Sequence, residues 1–458
     1  MVFRPETVEP PNPYAINCQP GPVELVPAQI FVIIYTGSAS IHMLDLALEC
    51  VRWMGGSNVR SRSGRSWIVK GLRLFANDLY DVIVVGGGPG GATAAYYLGE
   101  AGRRVLVLEK ENFPRYKACG GATSASLLEE FPFDFGPVIE SHVKSVTYAC
   151  RGEAVTFDVP QSPIRMTMRA DLDEFLLSHV KGEIRQGDAV ASIDEKNDRV
   201  IVRTRTGKEF AGRYLIGADG PNSVVAHSLG LRKNKTLLGA IEVEAPVPLD
   251  VFCRFKEAPL FIFGEVEMGY LWIFPKTEHL SVGIGALHPR PGELQATLAK
   301  VMERYRISMQ GLPLHGHAVP IYTGREKLST HRTLLVGDAA GLVDPLGGEG
   351  IRYAVQSGRL AAQAILSDRI QRYDSTIHRQ IGARHRINWI LSQQVYRHSG
   401  ACFSLFVQNP FARPAFVDLY SERGSPQMYL LRLLGSVPLF LLTKGLGGIF
   451  PSMRKNRR

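Results

Sequence analysis

The chain has 458 residues, of which 45% are apolar and 21% charged, and a net charge of +10. That length carries two intimately packed subdomains or two to three independent ones, and the composition excludes a disordered or collagen-like chain. The absence of any run of about 18 uninterrupted apolar residues argues against a spanning helix. The six scattered cysteines (Cys18, Cys50, Cys119, Cys150, Cys253 and Cys402) form no Cys-x-x-Cys pair, which excludes a disulfide framework and favours a reducing compartment, the cytoplasm.

In chain order, residues 1–78 come first, read as an extension. Residues 1–28 are Pro-rich, the apolar run 30–35 is short, and residues 51–75 carry Arg52, Arg60, Arg62, Arg65, Lys70 and Arg73 without an acid. Basic, Ser-containing sequence fits an organelle-targeting segment, but Glu6, Glu9, Glu24, Asp45 and Glu49 precede it and favour an irregular extension, with Met43 or Met54 as alternative starts. The run YDVIVV at 80–85 reads as a buried parallel strand, 92–101 as a helix and RVLVL at 104–108 as the next strand, completing a βαβ unit. Short strands are expected within 143–160 and 189–216, with a helix over 169–181 between them. The stretch 237–287 is β-rich, with strands at 271–274 and 280–284. Another buried strand, 333–336, runs into Gly337, and helices follow over 350–367 and 376–397.

The spacing predicts an α/β fold with a discontinuous Rossmann-type nucleotide-binding domain (79–170, 190–230 and 325–370). An inserted β-sheet substrate domain takes 143–165 and 231–324, and a helical C-terminal part takes 371–458. The segment YLLRLLGSVPLFLLTKGLGGIF at 429–450 is followed by Arg454, Lys455, Arg457 and Arg458. Pro438 and several Gly argue against one continuous spanning helix. An apolar segment beside a basic tail, 429–458 together, suits peripheral contact with anionic lipid or, alternatively, a helix that caps the core.

Residues 86–91, GGGPGG, match Gly-x-Gly-x-x-Gly directly after a strand. Gly86 permits the tight turn, Gly88 lets a pyrophosphate approach the backbone, and Gly91 lets helix and strand pack closely. Pro89 and Gly90 open the helix, whose N-terminus attracts phosphate. Glu109, ending the second strand beside Lys110, suits ribose hydroxyls. A dinucleotide is expected, NAD or FAD on this motif alone. A second motif follows 250 residues later. Gly337 and Asp338 leave a buried strand, with Asp338 placed to accept from a polyol or ribose. Pro345, Gly347, Gly348, Glu349 and Gly350 then lead into a helix whose N–H groups would meet a redox ring and stabilise negative charge on its reduced form. Asp219 and Gly220 end a third strand in GADG.

Three such motifs in this order resemble the flavoprotein hydroxylase-like superfamily. That resemblance implies non-covalent FAD, with Asp219 near the nucleotide and Asp338 on the ribityl–pyrophosphate region. Residues 114–121, PRYKACGG, and 270–276, YLWIFPK, resemble two elements of the geranylgeranyl reductase family, and Arg169 matches an arginine that such flavoproteins place near FAD. The likeness covers roughly residues 79–425. Ala118 stands where the family commonly has Pro, which removes some loop rigidity. The resemblance implies reduction of isolated C=C bonds in the prenyl chain of a lipid, quinone or chlorophyll-type substrate. Reduced FAD would supply hydride, with NADPH or reduced ferredoxin as electron donor. Tyr270, Trp272 and Phe274 alternate along one strand face and offer three rings to a prenyl chain or to developing positive charge; sheet-core packing is the alternative. Cys119, beside Gly120 and Gly121, would face flavin or substrate, where its thiol would shield the site or help donate a proton, or fill space as a small buried hydrophobe. Arg115 and Lys117 would hold phosphates or a head group, or lie in solvent.

The alternatives are a flavin monooxygenase or halogenase and a flavin-binding sensor without turnover. Halogenases of this superfamily carry Trp-x-Trp-x-Ile-Pro where this chain has Tyr270-x-Trp272-x-Phe274-Pro275, and all three flavin motifs are intact. No metal site and no nucleic-acid partner is expected. The basic charge favours anionic lipid, phosphate compounds or an acidic electron-carrier protein, or is simply solvated surface.

Overall fold

The computed structural model describes residues 58–60, 66–68, 79–159, 164–420 and 426–449. The chain divides into two units, Met1–Leu74 and Phe75–Arg458. In the first, the described residues form one antiparallel strand pair, Asn58–Arg60 with Ser66–Ile68. The remaining expectations for 1–78 fall outside the described residues.

The second unit is built on two seven-stranded sheets. In the first, Leu79–Val85 is flanked in parallel by Val105–Leu108 and Glu209–Gly217. Glu183–Arg185 extends one side, and Val200–Thr204 and Val190–Glu195 add antiparallel strands on the other. Thr333–Leu335 pairs in parallel with Glu209–Gly217. The inner strands are apolar on both faces because helices cover them: Val82, Ile83, Val84, Leu106, Val107, Leu215 and Ile216 are wholly buried. Helices Pro89–Glu100 and Ile351–Leu366 pack against each other so tightly that a Cβ at Gly358 would meet the Gly90 carbonyl oxygen at 2.3 Å. Both begin at the carboxyl edge of a parallel strand, where open α/β sheets bind ligands. The first helix starts at Pro89, three residues earlier than the periodicity suggests, because proline is pre-organised for a first helical turn.

The second sheet runs, edge to edge, His315–Ile321, Thr236–Pro246, His279–Leu287, Gly269–Pro275, Leu260–Phe263, Ser145–Cys150 and Glu153–Asp158. Its neighbours are antiparallel, except that Leu260–Phe263 runs parallel to Ser145–Cys150. Strand alternation sorts side chains between its faces. Leu271, Ile273, Val282 and Ile284 pack in one core with Leu298 and Met302 of helix Glu293–Arg304, whereas Trp272 and Phe274 belong to a separate cluster that takes in Tyr270 and Ala240.

After Ile351–Leu366 the chain is helical. Residues expected as one helix over 376–397 form Tyr373–Ile377, a π-helical turn His378–Gly382, and Ala383–Arg397. Pro438 and the glycines were expected to argue against one continuous spanning helix; Pro426–Ile449 is nonetheless one helix through Pro438. Leu434 and Pro438 both lie on its exposed side, where solvent can take the carbonyl that proline leaves without a donor. Among the described residues no helix is long and apolar enough to cross a membrane.

Candidate functional site

A cavity of ≈ 1380 Å³ lies between the carboxyl edge of the first sheet, the aromatic face of the second and the C-terminal helices. Every site residue expected from sequence lines it except Gly91 and Pro345. Gly91 is structural. A Cβ there would sit 1.9 Å from the Gly86 carbonyl oxygen, and Gly86 itself has φ +102°. The turn therefore accepts only glycine at both ends.

Gly88 opens onto the cavity at the start of Pro89–Glu100, which has no side-chain cap, so its first N–H groups remain available to a ligand. The Arg115 guanidinium lies beside it, 3.7 Å from where a Gly88 Cβ would stand. Arg115 Nη2 bonds Asp173 at 2.9 Å, while its Nη1 is buried without a protein partner. A free cationic N–H beside an uncapped helix start fits a pyrophosphate. Glu109 Oε2 accepts from Gly87 N–H at 2.6 Å and Oε1 from Glu111 N–H at 3.0 Å, which fixes the carboxylate at the cavity wall with lone pairs left for hydroxyls. Lys110 follows it at the exposed rim. The residues present thus fit a dinucleotide.

Several expected contacts are engaged within the protein. The Asp219 carboxylate accepts from Ser223 Oγ, from Val224 N–H at 2.7 Å and from Val225 N–H at 3.1 Å, so it caps the helix Val224–Ser228 while Asp219 and Gly220 line the cavity. Arg169 is clamped on Asp173 through Nε at 2.8 Å and Nη2 at 2.6 Å. Lys117 pairs with Asp338 at 3.2 Å. Burial alone would push the Asp338 carboxyl up, but Lys117, His317 and Arg169 outweigh it and hold the group well below the usual carboxylate range. The Asp338 carbonyl also accepts from buried Arg232.

The loop before Ile351–Leu366 is organised by Asp344. Its Oδ1 accepts from Leu346 N–H at 2.7 Å and Gly347 N–H at 2.9 Å, its carbonyl from Gly348 N–H at 3.0 Å, and Asn388 of helix Ala383–Arg397 donates to its Oδ2. The Gly347 and Gly348 N–H groups expected to meet a redox ring are therefore spent inside the loop. Gly350 and the uncapped first turn of the helix remain for that role. Glu349 pairs with Arg352 at 3.2 Å.

Tyr270, Trp272 and Phe274 all face the cavity; Tyr270 donates to the Gly347 carbonyl at 2.7 Å and so ties the aromatic strand to that loop. Opposite lies the segment 114–121. Lys276, only 1% exposed, donates to the carbonyls of Gly120 and Thr167, both at 2.8 Å. Burial pushes its ammonium down from the ordinary lysine range. The Cys119 N–H donates to Glu242 Oε1 at 2.7 Å, and the Tyr116 hydroxyl donates to the same oxygen at 2.7 Å. Tyr116, Glu242 and the burial of Lys276 are absent from the sequence reading. The available signal is the period of two in 236–246, which places Glu242 with Leu238 and Ala240 on one strand face. Among the described residues no group of His, Cys, Asp and Glu is arranged to hold a metal.

The wider likeness of the chain agrees with this geometry. A model described as an FAD binding domain matches residues 140–368, and one described as an NAD(P)-binding Rossmann-like domain matches 84–144. An uncharacterized protein of Methanosarcina barkeri is 33% identical over 63% of this chain and 75% of its own length. The chloroplastic geranylgeranyl diphosphate reductase of Oryza sativa subsp. japonica is 28% identical over 77% of this chain and 81% of its own. The solved structure of a geranylgeranyl bacteriochlorophyll reductase-like protein from Thermoplasma acidophilum superposes with TM-score 0.65 at 24% identity, over 79% of this chain and 96% of that one, which speaks to the fold. With the dinucleotide cradle, the paired flavin motifs and these likenesses together, the chain belongs to the FAD-binding-domain family of oxidoreductases and is similar within it to geranylgeranyl reductases.

Proposed function

We propose that the protein reduces isolated C=C bonds in the prenyl chain of a lipid, quinone or chlorophyll-type substrate. The observation that carries this reading is the continuity of the cavity. Its 1380 Å³ exceeds the 300–1,000 Å³ of an ordinary single-ligand pocket, and it runs from the dinucleotide cradle past three aromatic rings to apolar side chains of the C-terminal helices, Phe403, Phe406 and Leu433 among them. Bound in the cradle, FAD would supply hydride. In this reading Arg115, Gly88 and the start of Pro89–Glu100 hold the pyrophosphate, Glu109 a ribose, the Asp219–Gly220 backbone and Asp338 the rest of the nucleotide, and the turn at Gly350 the ring. Tyr270, Trp272 and Phe274 wall the alkene and exclude water, and Cys119 lines the approach.

The electron donor is proposed as NADPH binding transiently at the surface, since the chain holds no second Gly-x-Gly-x-x-Gly; reduced ferredoxin is the alternative that the +10 charge supports. Peripheral membrane contact through 429–458 belongs to the same reading, because helix Pro426–Ile449 lines the cavity with Leu430 and Leu433 while leaving Leu431 70% and Leu442 63% exposed. A long prenyl chain could then pass between lipid and cavity along one helix.

The test is anaerobic incubation of the dithionite-reduced holoprotein with geranylgeranyl compounds, read by mass spectrometry. Gains in steps of about 2 Da support the reading. No such gain, together with oxygen-dependent addition of about 16 Da, replaces it with a monooxygenase.

A further inference from the structure

Reducing an isolated alkene takes a hydride on one carbon and a proton on the other, and the proton needs an acid inside an apolar cavity. Glu242 lies in the middle of Thr236–Pro246, lines the cavity, and is 2% exposed. The sheet register places it in one row: Trp272 opposite Gly283, Gly283 opposite Glu242, and Glu242 opposite His315. Gly283 has a purpose in that row. A Cβ there would stand 2.1 Å from the Trp272 ring, so the indole lies flat across the glycine and reaches toward the Glu242 strand. The indole Nε1 is buried without a partner and stands 3.0 Å from where a Gly120 Cβ would be, beside Cys119. Carboxyl, unpartnered indole N–H and thiol thus converge on the aromatic end of the cavity. The two bonds that hold Glu242, from Tyr116 Oη and Cys119 N–H, both fall on Oε1.

We propose that Glu242 is the acid that protonates the alkene, with Tyr116 connecting it to solvent. The inference rests on the prenyl-reductase reading above. In the step, the Glu242 carboxyl O–H bond breaks, a C–H bond forms on one alkene carbon and the carboxylate is left behind. The second C–H bond would take the hydride, with its two electrons, that reduced FAD would supply when bound. The carboxylate is reprotonated through Tyr116, whose ring is part exposed and packs at a tilt against His315, with ring centroids 4.1 Å apart. The groups around Glu242 are Tyr116 and Cys119 from the 114–121 segment, His315 from the neighbouring strand, Glu244 on its own strand with its partner His279, and Lys276. Burial is the largest influence and pushes the Glu242 carboxyl up from the ordinary range; Glu244 adds to this, while Tyr116, the Cys119 N–H and Lys276 oppose it.

The experiment compares holoprotein with Glu242→Gln and Tyr116→Phe. In substrate-free wild type, infrared titration should show a protonated carboxyl band persisting above the ordinary Glu range near about pH 4.3, absent in E242Q. Single-turnover alkene reduction by E242Q should fall about 10²-fold or more at unchanged flavin content. Activity that needs the protonated acid falls as pH rises through its pKa. Removing the Tyr116 hydroxyl, which stabilises the carboxylate, should move that fall to higher pH. E242Q turning over at the wild-type rate, or loss of no infrared band, overturns the assignment. Should E242Q fail to retain flavin, an unshifted pH profile in Y116F overturns it equally. A wild type that reduces no prenyl compound overturns the proposed function instead, which is a separate result.

Discussion

Asp338 shows what a single charge does at this site. Its folded pKa is depressed, so the stability it contributes with Lys117 is present above the unfolded value near about pH 4 and is lost only as pH falls through the lower folded value. Denaturant unfolding across neutral and mildly acidic pH should therefore show a constant contribution that Asp338→Asn removes, about 2 kcal/mol for charge-assisted bonds of this kind. Lys276 makes a second test. Lys276→Met would leave the Gly120 and Thr167 carbonyls without their donor in a buried place, for an expected loss of about 2–4 kcal/mol in the same measurement and a loosened Cys119 segment. At this scale the sequence was legible where partners are close in the chain or follow a fixed spacing, as with Gly86, Gly91 and Glu109. It was silent where they are distant: Glu242 meets Cys119 across 123 positions and Tyr116 across 126. It did not show that the Asp219 carboxylate is held by donors on its own following turn, Ser223 to Val225.

At the scale of elements, the βαβ unit and the strand entering Gly337 were readable because parallel strands covered on both faces are uniformly apolar. The two flavin motifs meet through the packing of Pro89–Glu100 on Ile351–Leu366. Gly358→Leu, forced against the Gly90 backbone, should part them and abolish retention of flavin absorbance on purification; a yellow variant with full flavin content would contradict this. The last helix was less readable, because a proline in its interior is ordinarily a breaker and the exposure of Leu434 and Pro438 comes from packing alone. Tyr429, Ser436 and Phe440 anchor one side of it, with Ser436 bonded to the fully buried Asn409 at 2.9 Å. The other side presents Leu431, Leu439, Leu441 and Leu442. Changing Leu431 and Leu442 together to Ser should weaken sedimentation with anionic vesicles several-fold while leaving the unfolding midpoint nearly unchanged, since neither side chain is buried.

For the whole molecule, the cavity lies between two sheets whose apolar cores are separate, and a ligand that touches both should couple them. FAD at 100 times its dissociation constant should raise the unfolding free energy by about 2.7 kcal/mol, seen as a higher melting temperature in the holoprotein than in the apoprotein. The placement of one indole gives this coupling a spectroscopic signature. Trp272 is in the cavity wall, whereas Trp389 on helix Ala383–Arg397 is not part of the lining. Its ring is held flat over Gly283, so it has little freedom to tumble and should emit as a blue-shifted, strongly polarised fluorophore. An isoalloxazine entering the cavity absorbs at those wavelengths. The protein would then report its own loading as a dimming of tryptophan light, and Trp272→Phe should reduce that change.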